Sequence, residues 1–236
     1  MSNQGQKAQV VVALSGGMDS AVCAALAVRH FGADATAALH VSYGQLTEAR
    51  EQQAFQAICQ RLQIRNHLAF RTPFFRAIGG SALTDDRISV PDAGPEIGAH
   101  IPVTYVPFRN AHFLAAAVSW AEVLGAERIY IGAVQQDSSG YPDCRPEYYQ
   151  AFNEVIRRGT KEGRIHIETP LIALRKSEIV QLGLELGAPF DLTWSCYSRE
   201  DQACGACDSC VLRLRAFAAV GAHDPVPYLS PAAAQD

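Results

Sequence analysis

Residues 10–20 read Val-Val-Val-Ala-Leu-Ser-Gly-Gly-Met-Asp-Ser, a short apolar run followed directly by a turn rich in Gly and Ser. The apolar run 10–14 predicts a buried strand, and apolar positions at helical spacing over 19–31 predict a helix after the turn. Such a turn suits an anion, because glycines allow close backbone approach and free amides at a helix start point toward it. The spacing matches neither the Walker loop nor the Gly-x-Gly-x-x-Gly motif of dinucleotide folds. We therefore expect a phosphate-binding loop of another kind.

Strand-like and helix-like segments alternate along the rest of the chain. We expect further strands over 35–41, 64–70, 128–131 and 165–168, and helices over 48–62, 110–124, 147–158, 176–186 and 209–220. Asn110 is predicted to cap its helix, and a loop rich in Pro, Gly, Ser and Asp fills residues 71–108. This alternation predicts an open α/β sheet of parallel strands that binds ligands at the carboxyl ends of the strands.

Composition narrows the classes of partner. The 236 residues include 20 Lys+Arg and 24 Asp+Glu, a net charge of −4 that argues against a nucleic-acid groove. No apolar run is long enough to span a membrane, and the polar N-terminal residues do not form a secretory signal. We therefore expect a cytoplasmic protein with a small-molecule substrate and with neither nucleic acid nor membrane as a partner.

Four of the seven cysteines fall in one short segment, as Cys196, Cys204, Cys207 and Cys210. Without an export signal, such spacing indicates metal ligands rather than disulfides. Four thiolates suit a closed structural Zn²⁺ site, one per chain, and an iron–sulfur cluster is the competing possibility. A zinc ion would fold this segment and hold it against the main domain.

Three polar loops are predicted at the carboxyl ends of strands, where this fold class binds ligands. Their candidate contact residues are Tyr43, Gln45, Tyr105, Phe108, Arg109, Asn110, Asp137, Tyr141, Asp143, Cys144 and Arg145. Taken singly, each loop could instead be held by its own hydrogen bonds.

The motif Ser-Gly-Gly-x-Asp-Ser at 15–20 resembles the PP-loop of the ATP pyrophosphatase superfamily, whose members cleave ATP between the α and β phosphates. With Ser-Gly-Tyr-Pro-Asp-Cys-Arg at 139–145 and the cysteine cluster, residues from about 10 to 213 resemble the QueC family of 7-cyano-7-deazaguanine (preQ0) synthases. The resemblance implies a Rossmann-like open parallel sheet of the adenine nucleotide alpha hydrolase type, with a small C-terminal zinc-binding extension.

The resemblance also implies an activity, that of an ATP-dependent carbon–nitrogen ligase in queuosine and 7-deazapurine biosynthesis. The carboxylate of 7-carboxy-7-deazaguanine is adenylated, and ammonia displaces AMP to give an amide. A second adenylation of the amide oxygen then yields the nitrile, with release of AMP and pyrophosphate. ATP with Mg²⁺ and a homodimer are implied as well.

The family's roles can be carried onto residues of this chain. The implied ATP contacts are Ala13, Leu14, Ser15, Gly16, Gly17, Met18, Asp19, Ser20, His40 and Tyr43. Asp19 is expected to act through Mg²⁺ or by fixing the loop, and Lys176 and Arg109 to stabilise phosphate charge.

For the deazaguanine base, an acidic side chain must meet the two donors of a guanine edge. Asp137 or Asp143 could accept them, and Tyr105, Phe108 or Tyr141 could stack on the ring. Cys144 is expected to be a contact rather than a nucleophile, because no base neighbours it in the sequence.

The chain departs from the family pattern after Tyr-Gly-Gln. Leu46 and Thr47 replace the usual Arg-His, and Glu48 and Glu51 only loosely replace the acid that follows. One alternative is therefore a QueC-like paralogue that stops at the amide or passes the acyl group to a protein amine, as in anti-phage gene clusters. A zinc ribbon that binds RNA is a second alternative, supported locally by Arg213 and Arg215 and opposed by the overall acidity.

We expect three segments along the chain. Residues 1–190 form the ATP-binding α/β domain with its substrate loops, 191–222 a helical extension with four cysteine ligands, and 223–236 a tail that is mobile because it is rich in Ala and Pro.

Overall fold

The computed structural model describes residues 8–94, 97–136 and 140–229. In these residues one sheet has the strands β1 (Val10–Ala13), β2 (Thr36–Ser42), β3 (Asn66–Arg71), β4 (Arg128–Ile131) and β5 (His166–Glu168). The strands are all parallel, in the order β3-β2-β1-β4-β5. The predicted open α/β architecture is confirmed.

The helices of the described chain are α1 (Met18–Phe31), α2 (Glu48–Arg61), α3 (Phe74–Ile78), α4 (Arg109–Leu124), α5 (Pro146–Gly159), α6 (Lys176–Leu186) and α7 (Asp208–Ala219). The predicted helices all form, and α3 is an additional short helix inside the predicted loop. The prediction that Asn110 caps this helix is wrong. The N-cap of α4 is Phe108, and Asn110 lies inside the helix. The Asn110 amide instead donates to the carbonyl of Asp143 (3.4 Å).

Helices cover both faces of the sheet, and the strand residues alternate between two cores. Val10 and Val12 pack in one core with α1, α6 and α7, while Val11 packs in the other with α4 and α5. Burial on both faces explains the continuous apolar run that opens the sequence. The edge strand β3 differs, because all of its residues are exposed.

The sheet order reverses between β1 and β4, which opens a crevice at their carboxyl ends. The predicted phosphate loop follows β1, and Gly132 follows β4. A Cβ atom at Gly132 would lie 2.9 Å from backbone atoms of Asp19 and Ser20. Only glycine therefore lets the end of β4 approach the phosphate loop this closely.

The C-terminal segment packs against the main sheet domain. Ala216 and Phe217 of α7 join the core that contains α1 and α6. The predicted mobile tail is wrong for residues 224–229, because Asp224 is buried and its carboxylate binds Arg213 (Nε–Oδ2 2.7 Å). A backbone bridge joins Ala203 to Tyr228. None of the described helices has both the length and the apolarity that a membrane span requires.

Candidate active site and metal centre

A cavity of about 280 Å³ lies at the crevice between β1 and β4. Many of the predicted site residues line it: Ala13, Leu14, Ser15, Gly17, Met18, Asp19, Ser20, Tyr43, Arg109, Asn110, Tyr141, Cys144 and Lys176. Segments from distant parts of the sequence thus meet at one site.

Other predicted site residues do not line the cavity, namely Gly16, His40, Gln45, Tyr105, Phe108, Asp143 and Arg145. His40 faces away because neighbours on a strand point to opposite sides: Leu39 and Val41 line the cavity, while His40 stacks on Phe55 with ring centroids 5.1 Å apart. Phe108 and Arg145 are exposed. Asp137 lies outside the described residues.

The phosphate loop is held by its own hydroxyl groups. Ser15 Oγ accepts from the amide of Gly17 (3.2 Å) and lies 3.1 Å from Ser20 Oγ, and Ser20 Oγ donates to the Gly17 carbonyl (3.0 Å). Gly16 has φ +95°, and a Cβ there would lie 2.7 Å from the carbonyl oxygen of Glu51. The turn therefore needs glycine for both its conformation and its packing.

Lys176 and Asp19 form an ion pair across the cavity. Lys176 is the first residue of α6, and its Nζ donates to Asp19 Oδ2. The other oxygen of this carboxylate, Asp19 Oδ1, is buried and has no hydrogen-bond partner among the described residues. An unpartnered carboxylate oxygen beside a phosphate loop fits a Mg²⁺ ion, which prefers oxygen ligands.

Arg109 is fixed against an aromatic wall of the cavity, formed by Tyr43 and Phe113. Its Nη1 donates to the hydroxyl of Tyr43 (2.8 Å), and its guanidinium carbon lies 5.0 Å from the Tyr43 ring centroid and 5.5 Å from that of Phe113. Burial opposes the charge, but Tyr43, Tyr141 and Asp143 outweigh it and raise the pKa of Arg109. The site therefore holds a permanent, oriented cation.

Asp143 lies behind the cavity wall. Its Oδ2 accepts from the backbone amide of Asn110 (3.3 Å), while Oδ1 is buried without a partner among the described residues. Burial raises the pKa of the Asp143 carboxyl. Burial, together with the Asp143 charge, raises the pKa of Cys144 to about 12. Cys144 is therefore a neutral thiol near pH 7, a poor nucleophile.

Sequence reasoning did not place several cavity residues in the site. They include Glu51, Phe113, Ser195, Tyr197, Ser209, Leu212 and Arg213. The spacing of 209, 212 and 213 marks one face of α7, a signal that shows a shared face but not what the face contacts. The cysteine-bearing segment therefore closes one side of the cavity, through lining residues between 195 and 213.

The four clustered cysteines converge. Their sulfur atoms all lie within 4.8 Å of one another, and Cys204 and Cys210 are 3.8 Å apart. A tetrahedral site with metal–sulfur bonds of about 2.3 Å needs sulfurs about 3.8 Å apart. The amides of Ala206 and Cys207 point at Cys204 Sγ (3.4 and 3.3 Å), the kind of contact that supports a metal-bound thiolate. These residues therefore fit a metal ion.

The sequence matches the family described as queuosine biosynthesis protein QueC over residues 9–221. The 7-cyano-7-deazaguanine synthase of Koribacter versatilis is 72% identical over 233 residues, which cover 99% of this chain and 98% of the relative. The enzyme of the same name from Acidobacterium capsulatum is 64% identical over 226 residues, 94% of this chain and 97% of the relative. Among solved structures, NMN synthetase from Francisella tularensis overlaps with a TM-score of 0.47 at 19% identity, over 95% of this chain and 89% of that one. With a family match over most of its length and relatives of this identity, the chain belongs to the QueC family.

Proposed function

We propose that this chain is an ATP-dependent carbon–nitrogen ligase that converts 7-carboxy-7-deazaguanine and ammonia to 7-cyano-7-deazaguanine. One observation carries the proposal: the phosphate loop, Lys176 and Arg109 line a single cavity in a chain 72% identical to a named synthase. Adenylation of a carboxylate requires a nucleotide phosphate and the carboxylate to meet, and this cavity supplies cations for both.

ATP would lie along the phosphate loop, with its adenine against apolar residues at the ends of β1 and β2. Ala13, Leu14, Leu39 and Val41 form this wall. Asp19 would hold Mg²⁺ through its unpartnered Oδ1, and the ion would neutralise phosphate charge. Lys176, held by Asp19, would stabilise the charge that develops when the bond between the α and β phosphates breaks.

The deazaguanine acid would lie between the loop and the aromatic wall. Arg109 suits its carboxylate, because Arg109 lines the cavity as a cation and its Nε has no hydrogen-bond partner among the described residues. Tyr43, Tyr141 and Tyr197 line the cavity and could contact the base. Asp143 would reach a guanine edge only if its unpartnered Oδ1 becomes accessible when substrate binds. A role in substrate binding stays a prediction for Gln45, Tyr105, Phe108, Asp137 and Arg145.

The chemistry proceeds in two activations. A carboxylate is a poor electrophile until one oxygen becomes part of a good leaving group, and adenylation achieves this. Ammonia then displaces AMP to give the amide. Adenylation of the amide oxygen lets a second AMP leave, and the nitrile forms with two ATP consumed in total.

For the metal we propose one structural Zn²⁺ per chain, held by the four cysteines. Four protein thiolates leave no position for water, so the ion would support the fold rather than the reaction. Elemental analysis tests this against an iron–sulfur cluster: one zinc per chain without iron or acid-labile sulfide supports the proposal.

We also infer a homodimer and a division of the chain. Leu68 and Phe70 of β3 are exposed beside Phe74, and an open apolar sheet edge is a natural contact for a second copy.

We divide the chain into the ATP-binding domain over 1–190, the cysteine-bearing extension over 191–222 and the terminal segment over 223–236. We place the protein in the cytoplasm, where its seven free cysteines would stay reduced.

The relatives named as synthases favour the nitrile as the end product over an amide or a protein conjugate. The departure at residues 46–47 also has a local explanation. Thr47 Oγ1 donates to Glu51 Oε1 (2.8 Å), so residue 47 fixes a side chain of the cavity lining, while nothing in the structure explains Leu46.

The decisive test is the product formed from the acid, ATP, Mg²⁺ and ¹⁵N-ammonium. Mass spectrometry should show labelled nitrile, with two AMP per nitrile. Lys176→Met should reduce AMP formation at least about 100-fold, while Lys161→Met, at an exposed position away from the cavity, should leave it unchanged. Labelled amide or a protein conjugate as the final product would contradict the proposed reaction.

A further inference from the structure

Glu51 lines the cavity, and its carboxylate, close enough to Arg109 to feel its charge, forms no ion pair among the described residues. Neutral side chains hold it: Gln45 Nε2 donates to Oε2 (2.9 Å) and Thr47 Oγ1 donates to Oε1 (2.8 Å). Its backbone carbonyl packs against Gly16 of the phosphate loop. Glu51 therefore has a fixed position beside the loop where the acyl-adenylate would form.

The charged and titratable groups around Glu51 come from three elements. They are Arg109 at the start of α4, Glu48 in its own helix and Tyr43, the residue directly after β2. Asp19 and Lys176 also line the cavity, paired with each other. In the described chain, Asp19 and Glu51 are the acidic residues of the lining, and Glu51 is the one without a cation in hydrogen-bond contact.

Burial raises the pKa of Glu51 to about 7, although the hydrogen bonds from Thr47 and Gln45 and the charge of Arg109 lower it in part. At neutral pH both protonation states are then populated. A group in this condition can take up a proton and release it again, which is what a general base must do.

The proposed reaction needs such a group. Nitrogen arrives mainly as ammonium, with four protons, and ends in a nitrile with none. The other acidic residue of the described lining is paired with Lys176, and His40 faces away from the cavity.

Resting on the proposed function, we propose that Glu51 binds the incoming ammonium ion and accepts its proton. The neutral ammonia then attacks the acyl carbon of the adenylate. The C–N bond forms, the C–O bond to AMP breaks, and the electron pair leaves on the AMP phosphate. The nitrogen gives its surplus proton to water, and Glu51 returns to its ionised form by releasing its own proton to solvent.

Glu51→Gln tests this role, because the amide keeps the size and can still hydrogen-bond both Gln45 and Thr47. Ammonium-dependent turnover at pH 7 should fall about 100-fold. Exchange of ATP with pyrophosphate that depends on the acid should stay within about threefold, because adenylation does not involve ammonia. Hydroxamate formation from hydroxylamine should also persist, since hydroxylamine is largely unprotonated at this pH.

The pH profile supplies a second readout. In the wild type, kcat/KM for ammonium should show an acidic limb near pH 7 that is absent in Glu51→Gln. Glu48→Gln is the matched control: Glu48 lies one turn away, pairs with Arg71 (2.8 Å) and does not line the cavity, so this variant should keep the limb. If Glu51→Gln does not fold, Glu51→Asp should shift the limb and lower ammonium turnover selectively.

Two results would overturn the role of Glu51. Unchanged ammonium-dependent turnover in Glu51→Gln would show that Glu51 is not the base. A parallel fall in exchange, hydroxamate formation and ammonium turnover would show that Glu51 only supports the fold of the site. A wild-type enzyme without acid-dependent exchange would instead refute the proposed function itself, so the two failures are distinguishable.

Discussion

The backbone amide of Trp194 donates a hydrogen bond to the carbonyl of Gly16 (2.8 Å). Gly16 belongs to the phosphate loop, and Trp194 lies two residues before the first clustered cysteine, Cys196. The cysteine segment therefore contacts the loop directly. We therefore expect a metal at the four cysteines to help order the phosphate loop through this bond.

Metal removal should therefore weaken nucleotide binding as well as stability. We expect Cys207→Ser, or treatment with a chelator, to lower the melting temperature and to raise KM for ATP about 10-fold. Thermal melts, metal analysis and ATP titrations check this. Adding zinc back after chelation should restore both properties. Loss of metal with an unchanged KM for ATP would show that the Trp194 contact does not depend on the ion.

Gly132→Ala should displace the phosphate loop, because the new Cβ would lie 2.9 Å from backbone atoms of Asp19 and Ser20. Neither backbone can yield without moving the loop. We expect a loss of about 1–3 kcal/mol in the free energy of unfolding and a higher KM for ATP. Urea unfolding and kinetics measure the two effects. Gly159→Ala is the control, since a Cβ there would meet nothing within 4 Å; equal effects at both glycines would refute this explanation.

The sheet was predictable because its signal is local. Residues 10–13 are apolar throughout, as a strand covered on both faces requires, and the glycines after them predict the phosphate loop. Helix α3 was not predicted, because a helix of five residues is too short to establish a hydrophobic period. Asn110 was misassigned as a cap because its actual partner, Asp143, lies 33 residues away.

The site was only partly predictable, for a related reason. Sequence spacing places Glu51 on α2 but does not say that this face of the helix meets the phosphate loop. The same limit hid Arg213, which lines the cavity while its guanidinium binds Asp224. Low-complexity composition suggested a mobile tail, whereas a single buried ion pair fixes the start of that segment.

Asp224→Asn should destabilise the protein strongly. Asp224 accepts two buried hydrogen bonds from Arg213 (2.7 and 2.8 Å) and a partly buried one from the hydroxyl of Tyr228 (2.6 Å). Removing one charge leaves Arg213 buried without its partner, and we expect a loss of about 3–5 kcal/mol in the free energy of unfolding. Asp201→Asn, which breaks the exposed pair with Arg199, should have no measurable effect. A small loss at Asp224 in urea unfolding would mean that solvent reaches this pair.

The stability of the protein should also report the state of Glu51. Its pKa of about 7 in the folded protein lies above the ordinary value of 4.5, so ionisation disfavours the folded state. The contribution of protonated Glu51 to the free energy of unfolding is complete below pH 4.5 and is lost as the pH rises through about 7. Partial solvent contact reduces the effect, and we expect Glu51→Gln to gain about 1–2 kcal/mol over the wild type between pH 5 and pH 8. Urea unfolding at both pH values measures this difference, and Glu48→Gln should not show it. A difference in the free energy of unfolding that is the same at pH 5 and pH 8 would mean that Glu51 titrates at its ordinary pKa. The carboxylate would then be ionised throughout the range in which the proposed base must exchange protons.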